Sequence, residues 1–422
     1  MKKFLGILLL LAALAIQGTA QPQQVTPISF WHGMTGVLQG TINALTDEFN
    51  AQNKDVKVNL TLQGNYDALN QKLLAAVVAG TPPTLSQMFP DWTAKIIEAD
   101  ALETLGDLIN VNIVGDFPKS LLDENTFIIN GKPTLLTVPF NKSILTMFYN
   151  SDVVKTDDLP KTWDEILSKS IKFNKDTNND GKPDIFGWGL RVYPEIFATF
   201  FHQNGGSFFD KAGCLTINNT AGVDAMEYLV KLKGQSLYQG GFLDAPFGEG
   251  KVMMYIDSSA GLGFAERGSQ GKHGVATARL PRGRANSDGM IQGTNIGLFK
   301  TASDAEKKAA IRYVEFLLSV DKTIFWAQQT GYLPVRASAL KDAKWLEFLK
   351  TAKGANHQAI VDQFVNGSFA YPVEAHISAW GAVRGFIGDA IEKIMQSKAS
   401  PKDALDEAAK LSNKEMKKAD CI

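Results

Sequence analysis

The turn Ser258-Ser259-Ala260-Gly261 follows an apolar run, Val252 to Ile256, and stands just before a helical pattern. A helix opened there would present free backbone N–H groups and the positive end of its dipole, with two hydroxyls as further donors. That chemistry suits an anion or a polar oxygen. The structural alternative is a serine N-cap beside a closely packed glycine. Gly261 and Gly263 do not complete a dinucleotide fingerprint. Arg384 lies among Trp380, Val383, Phe386 and Ile387 in an otherwise apolar helical stretch. A guanidinium in that setting needs a partner, either a bound anion or a buried carboxylate.

Asp176, Asn178, Asp180 and Asp184 stand at positions 1, 3, 5 and 9 of a loop with Gly181 at position 6. This is the oxygen spacing of an EF-hand-like calcium loop. Position 12 is Gly187, so the bidentate glutamate is missing. A structural calcium ion and a solvated acidic turn are the two readings. Tyr66 and Tyr332 each follow a glycine turn, where a phenol can be held at the edge of a cleft. Trp188 lies between Gly187 and Gly189, a setting expected to leave its face uncovered. Dispersed tryptophans are otherwise core residues more often than ligand platforms. No GxSxG elbow, HExxH helix, Walker loop or Cys/His metal cluster is present. The five histidines show no short-range pairing, so the chain reads as a binder rather than an enzyme.

Positioning such residues requires regular elements. Pro27 to Trp31 predicts a buried strand, and Leu38, Ile42, Leu45 and Phe49 recur at helical spacing. Val56, Val58, Leu60 and Leu62 alternate as a second strand, which makes a strand–helix–strand unit suited to a parallel sheet. A helix marked by Leu69, Leu73 and Val77 ends at Gly80, and Thr84 to Phe89 is a third strand. Ile96 to Ile109 carries a further helical pattern. Later, Thr162 and Glu165, and again Ser303 and Glu306, have capping-box spacing. A helix carries Val223, Met226 and Val230. Another runs from Lys322 to Thr330 and stops at Gly331, with Pro334 beyond it.

Thr137–Asn150 interrupts this order. It is read as a turn at Pro139-Phe140-Asn141 followed by an apolar, β-prone segment that leaves one α/β lobe and starts another. Further crossings are placed near Met290–Asn295 and Tyr332–Val335. Asn141 and Ser143 would then stand at the mouth of an interlobe cleft, and open α/β sheets bind ligands at the carboxyl ends of their strands.

The chain has 422 residues, too many for one compact core, and its apolar (45%) and charged (21%) fractions are those of a soluble globular protein. A net charge of -1 argues against a nucleic-acid partner. Lys2-Lys3, the apolar run Phe4 to Ile16 and the small residues Gly18-Thr19-Ala20 read as a secretory signal over residues 1–20. An exported, soluble, periplasmic protein is expected. Its two cysteines, Cys214 and Cys421, are either one disulfide or two free thiols.

Phe30-Trp31-His32, Gly64-Asn65-Tyr66, Pro139-Phe140-Asn141 with Ser143, Lys161-Thr162-Trp163 and Thr330-Gly331-Tyr332-Leu333-Pro334 together resemble the extracellular solute-binding proteins of ABC importers. The resemblance is to the large carbohydrate-binding type, and within it to the glycerol-phosphate-binding branch. It implies an α/β, two-lobe, type II periplasmic-binding-protein-like fold with three hinge crossings and a central cleft. The lobes implied are residues 21–138 with 290–333, and 139–289 with 334–422. It also implies a monomer that meets the transmembrane subunits of a permease and has no cofactor beyond the calcium just considered.

By position, the ligand contacts implied are Tyr66, Ser143, Trp188, Ser258, Gly293, Tyr332 and Arg384. Two positions depart from the branch. Its cleft glutamate falls on Pro90, with Asp91 the nearest carboxylate, and its second tryptophan falls on Arg191. The implied ligands are sn-glycerol-3-phosphate or a glycerophosphodiester. A sugar carrier is the alternative, and a secreted hydrolase the alternative of another class.

Overall fold

The computed structural model describes residues 25–372 and 375–421, so the secretory-signal reading of residues 1–20 lies outside the described residues. The chain opens with β1 (Thr26–His32), α1 (Gly36–Gln52), β2 (Val56–Leu62), α2 (Tyr66–Val78), β3 (Leu85–Met88) and α3 (Pro90–Ile97). Two short helices, α4 (Val111–Val114) and α5 (Lys119–Asn125), precede a hairpin of β4 (Thr126–Ile129) and β5 (Lys132–Leu135). The long β6 (Thr137–Asn150) follows, then α6 (Trp163–Ser170), β7 (Gly189–Leu190), α7 (Pro194–Gln203), α8 (Thr220–Lys233) and β8 (Leu237–Tyr238). Next come α9 (Asp244–Gly248), β9 (Met254–Ser258), α10 (Leu262–Ser269), β10 (Val275–Ala278) and β11 (Gly289–Leu298). The chain ends with α11 (Asp304–Leu317), α12 (Val320–Gln329), α13 (Ala343–Leu349), α14 (Gly354–Asn366), β12 (Ser368–Phe369), α15 (Trp380–Met395) and α16 (Pro401–Glu415).

One path of hydrogen-bonded strands runs β2-β1-β3-β11-β6-β9-β7-β8, with β10 also on β6 and β12 on β11. The β1–β2 and β1–β3 pairs are parallel, as the strand–helix–strand pattern requires. The thread through the whole sheet is β6. Its first part, Thr137 to Ile144, lies antiparallel to β11, and Leu145 to Tyr149 lies antiparallel to β9.

Two sequence expectations are corrected here. Pro139-Phe140-Asn141 is no turn: the strand runs through it with a register shift, Thr294 facing Asn141 and Asn295 facing Pro139. Phe140 is the extra residue of a β-bulge. A proline is tolerated there because a bulge already interrupts the ladder that needs its missing N–H. Nor is Ile96 to Ile109 a helix. The helix lies earlier, opened by Pro90 at its first turn, and residues beyond Ile97 form turns and an isolated bridge from Leu102 to Phe299. Leu102, Leu105 and Ile109 are buried at helix-like spacing, so the apolar period reports their burial and not their backbone.

Both predicted caps form. Ser303 and Glu306 make a complete capping box. The Thr162 hydroxyl accepts the Glu165 N–H, while the Glu165 carboxylate turns to the Lys161 N–H at 2.6 Å. On α8 the inward face is Ala225, Met226, Leu229 and Leu232, with Val230 exposed.

Apolar side chains gather in three clusters. One, around β1, α1, α11 and α12, also takes Trp345, Ile360 and Phe364 and continues through Phe148 and Tyr255 into Phe247 and Leu262. Another lies under α7, α8, α15 and α16. A small third joins Leu69, Met88, Trp92, Phe127 and Phe299. Cys214 and Cys421 are bonded, with their Cα atoms 5.5 Å apart. The bond fastens the chain end to the segment between α7 and α8, where Leu215 N–H also donates to Asn413 Oδ1 at 2.8 Å. Replacing both cysteines by serine is expected to lower the unfolding free energy by about 2–4 kcal/mol, because the open loop regains entropy when unfolded. Denaturant titration of the variant beside the oxidised parent checks this.

Candidate functional site

Tyr66 is the first residue of α2, whose cap Asn65 accepts the Ala68 N–H at 2.9 Å. Its ring passes so close to Gly33 that a Cβ there would sit 2.9 Å from it. Asn141 Nδ2, on the crossing strand β6, donates to the Tyr66 hydroxyl at 2.9 Å. Asn141 Oδ1 accepts from Gln87 Nε2 at 2.8 Å and from the Thr294 hydroxyl, so β3, β6 and β11 meet in one buried polar knot. Asn141 is therefore behind the tyrosine, and as Ser143 is buried too, neither stands at an open mouth.

Tyr332 enters the same knot from the chain after α12. Its hydroxyl meets the Tyr66 hydroxyl and the Asn141 amide, and burial raises both phenols above their ordinary range. They therefore stay protonated and can donate. The third crossing is fixed by contact: Leu333 N–H donates to Lys142 O at 2.7 Å. A Cβ on Gly331 would lie 1.7 Å from Ser259 O, so only glycine lets this segment touch the serine turn.

That turn lies at the end of β9. The Ser258 hydroxyl caps the short 3-10 segment that leads into α10, accepting the Ala260 N–H at 3.3 Å, and it donates to Ser143 Oγ at 2.8 Å. Ser259 Oγ instead accepts the Ile144 N–H at 3.2 Å. The N-cap reading thus holds for Ser258, and its hydroxyl also meets Ser143. Gly293 has φ +115, and a Cβ on it would meet Asn141 O at 2.0 Å, so glycine is required at the bulge. Tyr66, Ser143, Ser258, Gly293 and Tyr332 come together around the crossings.

Arg384 projects from α15 and is partnered. Its Nε donates to Glu195 Oε1 at 2.9 Å, and Nη2 reaches the same oxygen. The Glu195 charge raises the guanidinium further. Asp91, in the first turn of α3, faces this pair; burial pushes its carboxyl up, with Arg384 opposing and Glu195 adding to the rise. Beside Ser258, Asp257 accepts from the Tyr193 hydroxyl at 3.0 Å and from Arg191 Nη1 at 3.3 Å. Burial raises the Asp257 carboxyl even with Arg191 at hand. The Arg191 guanidinium lies 4.4 Å from the Tyr193 ring centre and 4.1 Å from that of Phe242. Where the resemblance has a tryptophan, this chain stacks a cation between two rings.

Trp188 corrects an expectation. It is only 1% exposed. A Cβ on Gly187 would meet Ser170 O at 1.8 Å, and one on Gly189 would meet Val252 at 2.7 Å. The glycines admit close packing instead of opening the ring's face. Trp188 lines a small pocket with Leu190, Arg191, Ile196, Phe200 and Ile256.

Asp176, Asn178, Asp180 and Asp184 do share one loop, but it closes on itself. Asp184 Oδ2 accepts from the Thr177 N–H at 2.8 Å and hydroxyl at 2.6 Å, and Asp176 Oδ2 accepts the Gly181 N–H at 2.8 Å. Among the described residues no group of three or more His, Cys, Asp or Glu side chains is arranged to hold a metal ion. Glu195, Asp257, Tyr193 and Gln87 were not legible as site residues. Glu195 sits just after a proline at a helix start, where a carboxylate reads as a helix-end charge. Nothing in its spacing points to Arg384.

The sequence model of the bacterial extracellular solute-binding protein family matches residues 44–353. The sn-glycerol-3-phosphate-binding periplasmic protein UgpB of Escherichia coli (strain K12) is 25% identical over 418 residues, covering 95% of this chain and 94% of its own. Among solved structures, UgpB from Mycobacterium tuberculosis in complex with glycerophosphocholine is similar with a TM-score of 0.77 at 22% identity, covering 93% of this chain and 98% of its own. The cyclic alpha-maltosyl-1,6-maltose binding protein from Arthrobacter globiformis gives 0.76 at 24% identity, covering 94% and 100%.

Gly331→Ala is expected to force Tyr332 off the serine turn and to weaken binding of any cleft ligand about tenfold or more, with a smaller loss of stability. Ligand titration beside thermal unfolding checks the split. A second expectation concerns His32, buried at the end of β1, where burial lowers its pKa to about 4. The unfolded chain takes up a proton near pH 6.5 while the native chain does not. Stability is therefore lost as pH falls from about 6.5 to 4, by about 2–3 kcal/mol from this group. Denaturant titrations across that window should show a shallower pH slope for His32→Asn than for the parent.

Proposed function

The chain belongs to the bacterial extracellular solute-binding protein family, and from that premise we propose that it captures a small polyhydroxylated ligand for an ABC importer. On this reading, residues 1–20 direct export. Residues 21–138 with 290–333, and 139–289 with 334–422, form the two lobes. Tyr66 and Tyr332 hold the ligand from one side, and Ser143, Ser258 and Arg384 from the other. Closure is driven by the ligand's preference for the shut state, since it contacts both lobes only there. The monomer then delivers it to the permease.

The observation that carries the choice of ligand is the state of the guanidiniums. Arg384 is bound to Glu195 and Arg191 to Asp257. Asp91, its carboxyl pushed up by burial, faces the Arg384–Glu195 pair. A dianionic phosphate monoester would find both guanidiniums already engaged by carboxylates. A ligand with no net negative charge would not meet that competition. We therefore place a zwitterionic glycerophosphodiester, of the kind bound in the mycobacterial neighbour, ahead of sn-glycerol-3-phosphate. Glu195 and Asp257 are each paired with a guanidinium, which favours a carrier over a hydrolase.

An oligosaccharide is the second reading. The same paired carboxylates and guanidiniums can accept from and donate to sugar hydroxyls, and carriers of maltose-type sugars share the fold. Calorimetric titration with glycerophosphocholine, sn-glycerol-3-phosphate and maltose separates the cases. Glycerophosphocholine is expected to bind about tenfold or more tightly than sn-glycerol-3-phosphate. The reverse order would defeat the charge argument, tightest binding of maltose would select the second reading, and hydrolysis of the diester would revive the enzyme.

A further inference from the structure

Lys142 is 0% exposed and lies in the middle of β6, between the two residues whose side chains take part in the knot and the serine pair. A lysine is almost never wholly buried without a specific partner. Its Nζ lies 2.9 Å from Glu124 Oε1, on α5, and donates to Gly293 O at 3.0 Å. Its backbone faces Gly293 in the β6–β11 ladder, and its carbonyl accepts the Leu333 N–H. One residue thus touches all three crossings, and its charge ties them to a helix of the first half of the molecule. The positive φ of Gly293 turns this peptide out of ordinary strand geometry, and the ammonium holds the turned carbonyl. Because a trans peptide is planar, fixing that carbonyl also fixes the Thr294 N–H on the opposite edge.

We propose that Lys142 is the positioning residue of the hinge: its ammonium, anchored by Glu124, fixes the Gly293–Thr294 peptide and thereby sets the angle at which the two halves meet. The residue contacts no ligand itself. It acts through Gly293, and the ligand part of this inference rests on the carrier reading above. A hydrophobic pair of similar volume can replace a buried ion pair without loss of stability, so position and stability can be separated by experiment.

Lys142→Ala alone would strand Glu124 and confuse the two. The decisive protein is therefore Lys142→Met with Glu124→Gln, which removes both charges at nearly constant volume. Fluorescent labels at Val78→Cys and Val230→Cys, both at exposed sites, report the distance between the halves in single ligand-free molecules. The parent is expected to give one narrow distance distribution and the double variant a broadened or displaced one. Release of glycerophosphocholine should be about tenfold faster in the variant at similar association rate. Lys142→Arg, which keeps a donor near Gly293 O, should restore most of both. A folded double variant with the parent's distribution would overturn the proposal, and so would a double variant that no longer folds, since that would make the pair a matter of stability. If the parent binds none of the three titrated ligands, the carrier reading fails on that result while the ligand-free distances still decide this one.

Discussion

Three segments of chain pass between the halves of this molecule, and backbone hydrogen bonds bind them to one another at a single level. β6 and β11 are paired through that level, and the segment after α12 is pinned to β6 by the Leu333–Lys142 bond. The rest follows from this arrangement. Gln87, Asn141, Thr294 and Tyr66 are shielded from water at the crossings and satisfy one another in one network. The network leaves two phenols side by side, one from a helix start and one from the third segment. Glycines stand where two backbones approach too closely for any side chain, at Gly293 and Gly331.

Charge around this level is arranged in pairs. Arg384 with Glu195 and Arg191 with Asp257 are each partly buried, and each is held by hydrogen bonds as well as by charge. Such pairs are weak sources of stability, because desolvation offsets their attraction. Their effect is to fix directions: each pair holds its carboxylate oxygens and guanidinium edges in place, and on the proposed carrier reading this would leave little ordering for binding.

The sequence was legible wherever local rules decide. Alternation in Val56 to Leu62, helical spacing in Leu38 to Phe49 and the Ser303–Glu306 box have their expected forms, whereas the helix expected to stop at Gly331 ends at Gln329 on an extended Thr330. Legibility failed where a distant contact decides. Pro139 suggested a turn, but pairing with β11 carries the strand through a bulge. Leu102, Leu105 and Ile109 have a helix's period because they line a core from turns. Trp188 was expected to show a face, and its flanking glycines let it pack instead. Five of the seven contacts implied by resemblance, Tyr66, Ser143, Ser258, Gly293 and Tyr332, gather at the crossings, while the carboxylates that partner Arg384 and Arg191 came from positions no short-range pattern marks.

The strand order has a consequence for the birth of the molecule. β3 lies between β1 and β11, and its pairing with β11 joins Leu85 to Leu298. A nascent chain therefore holds its first parallel strands with one edge open until the residues near 298 have been made. Closing so long a loop is slow, since its entropy must be given up before the distant contact returns anything.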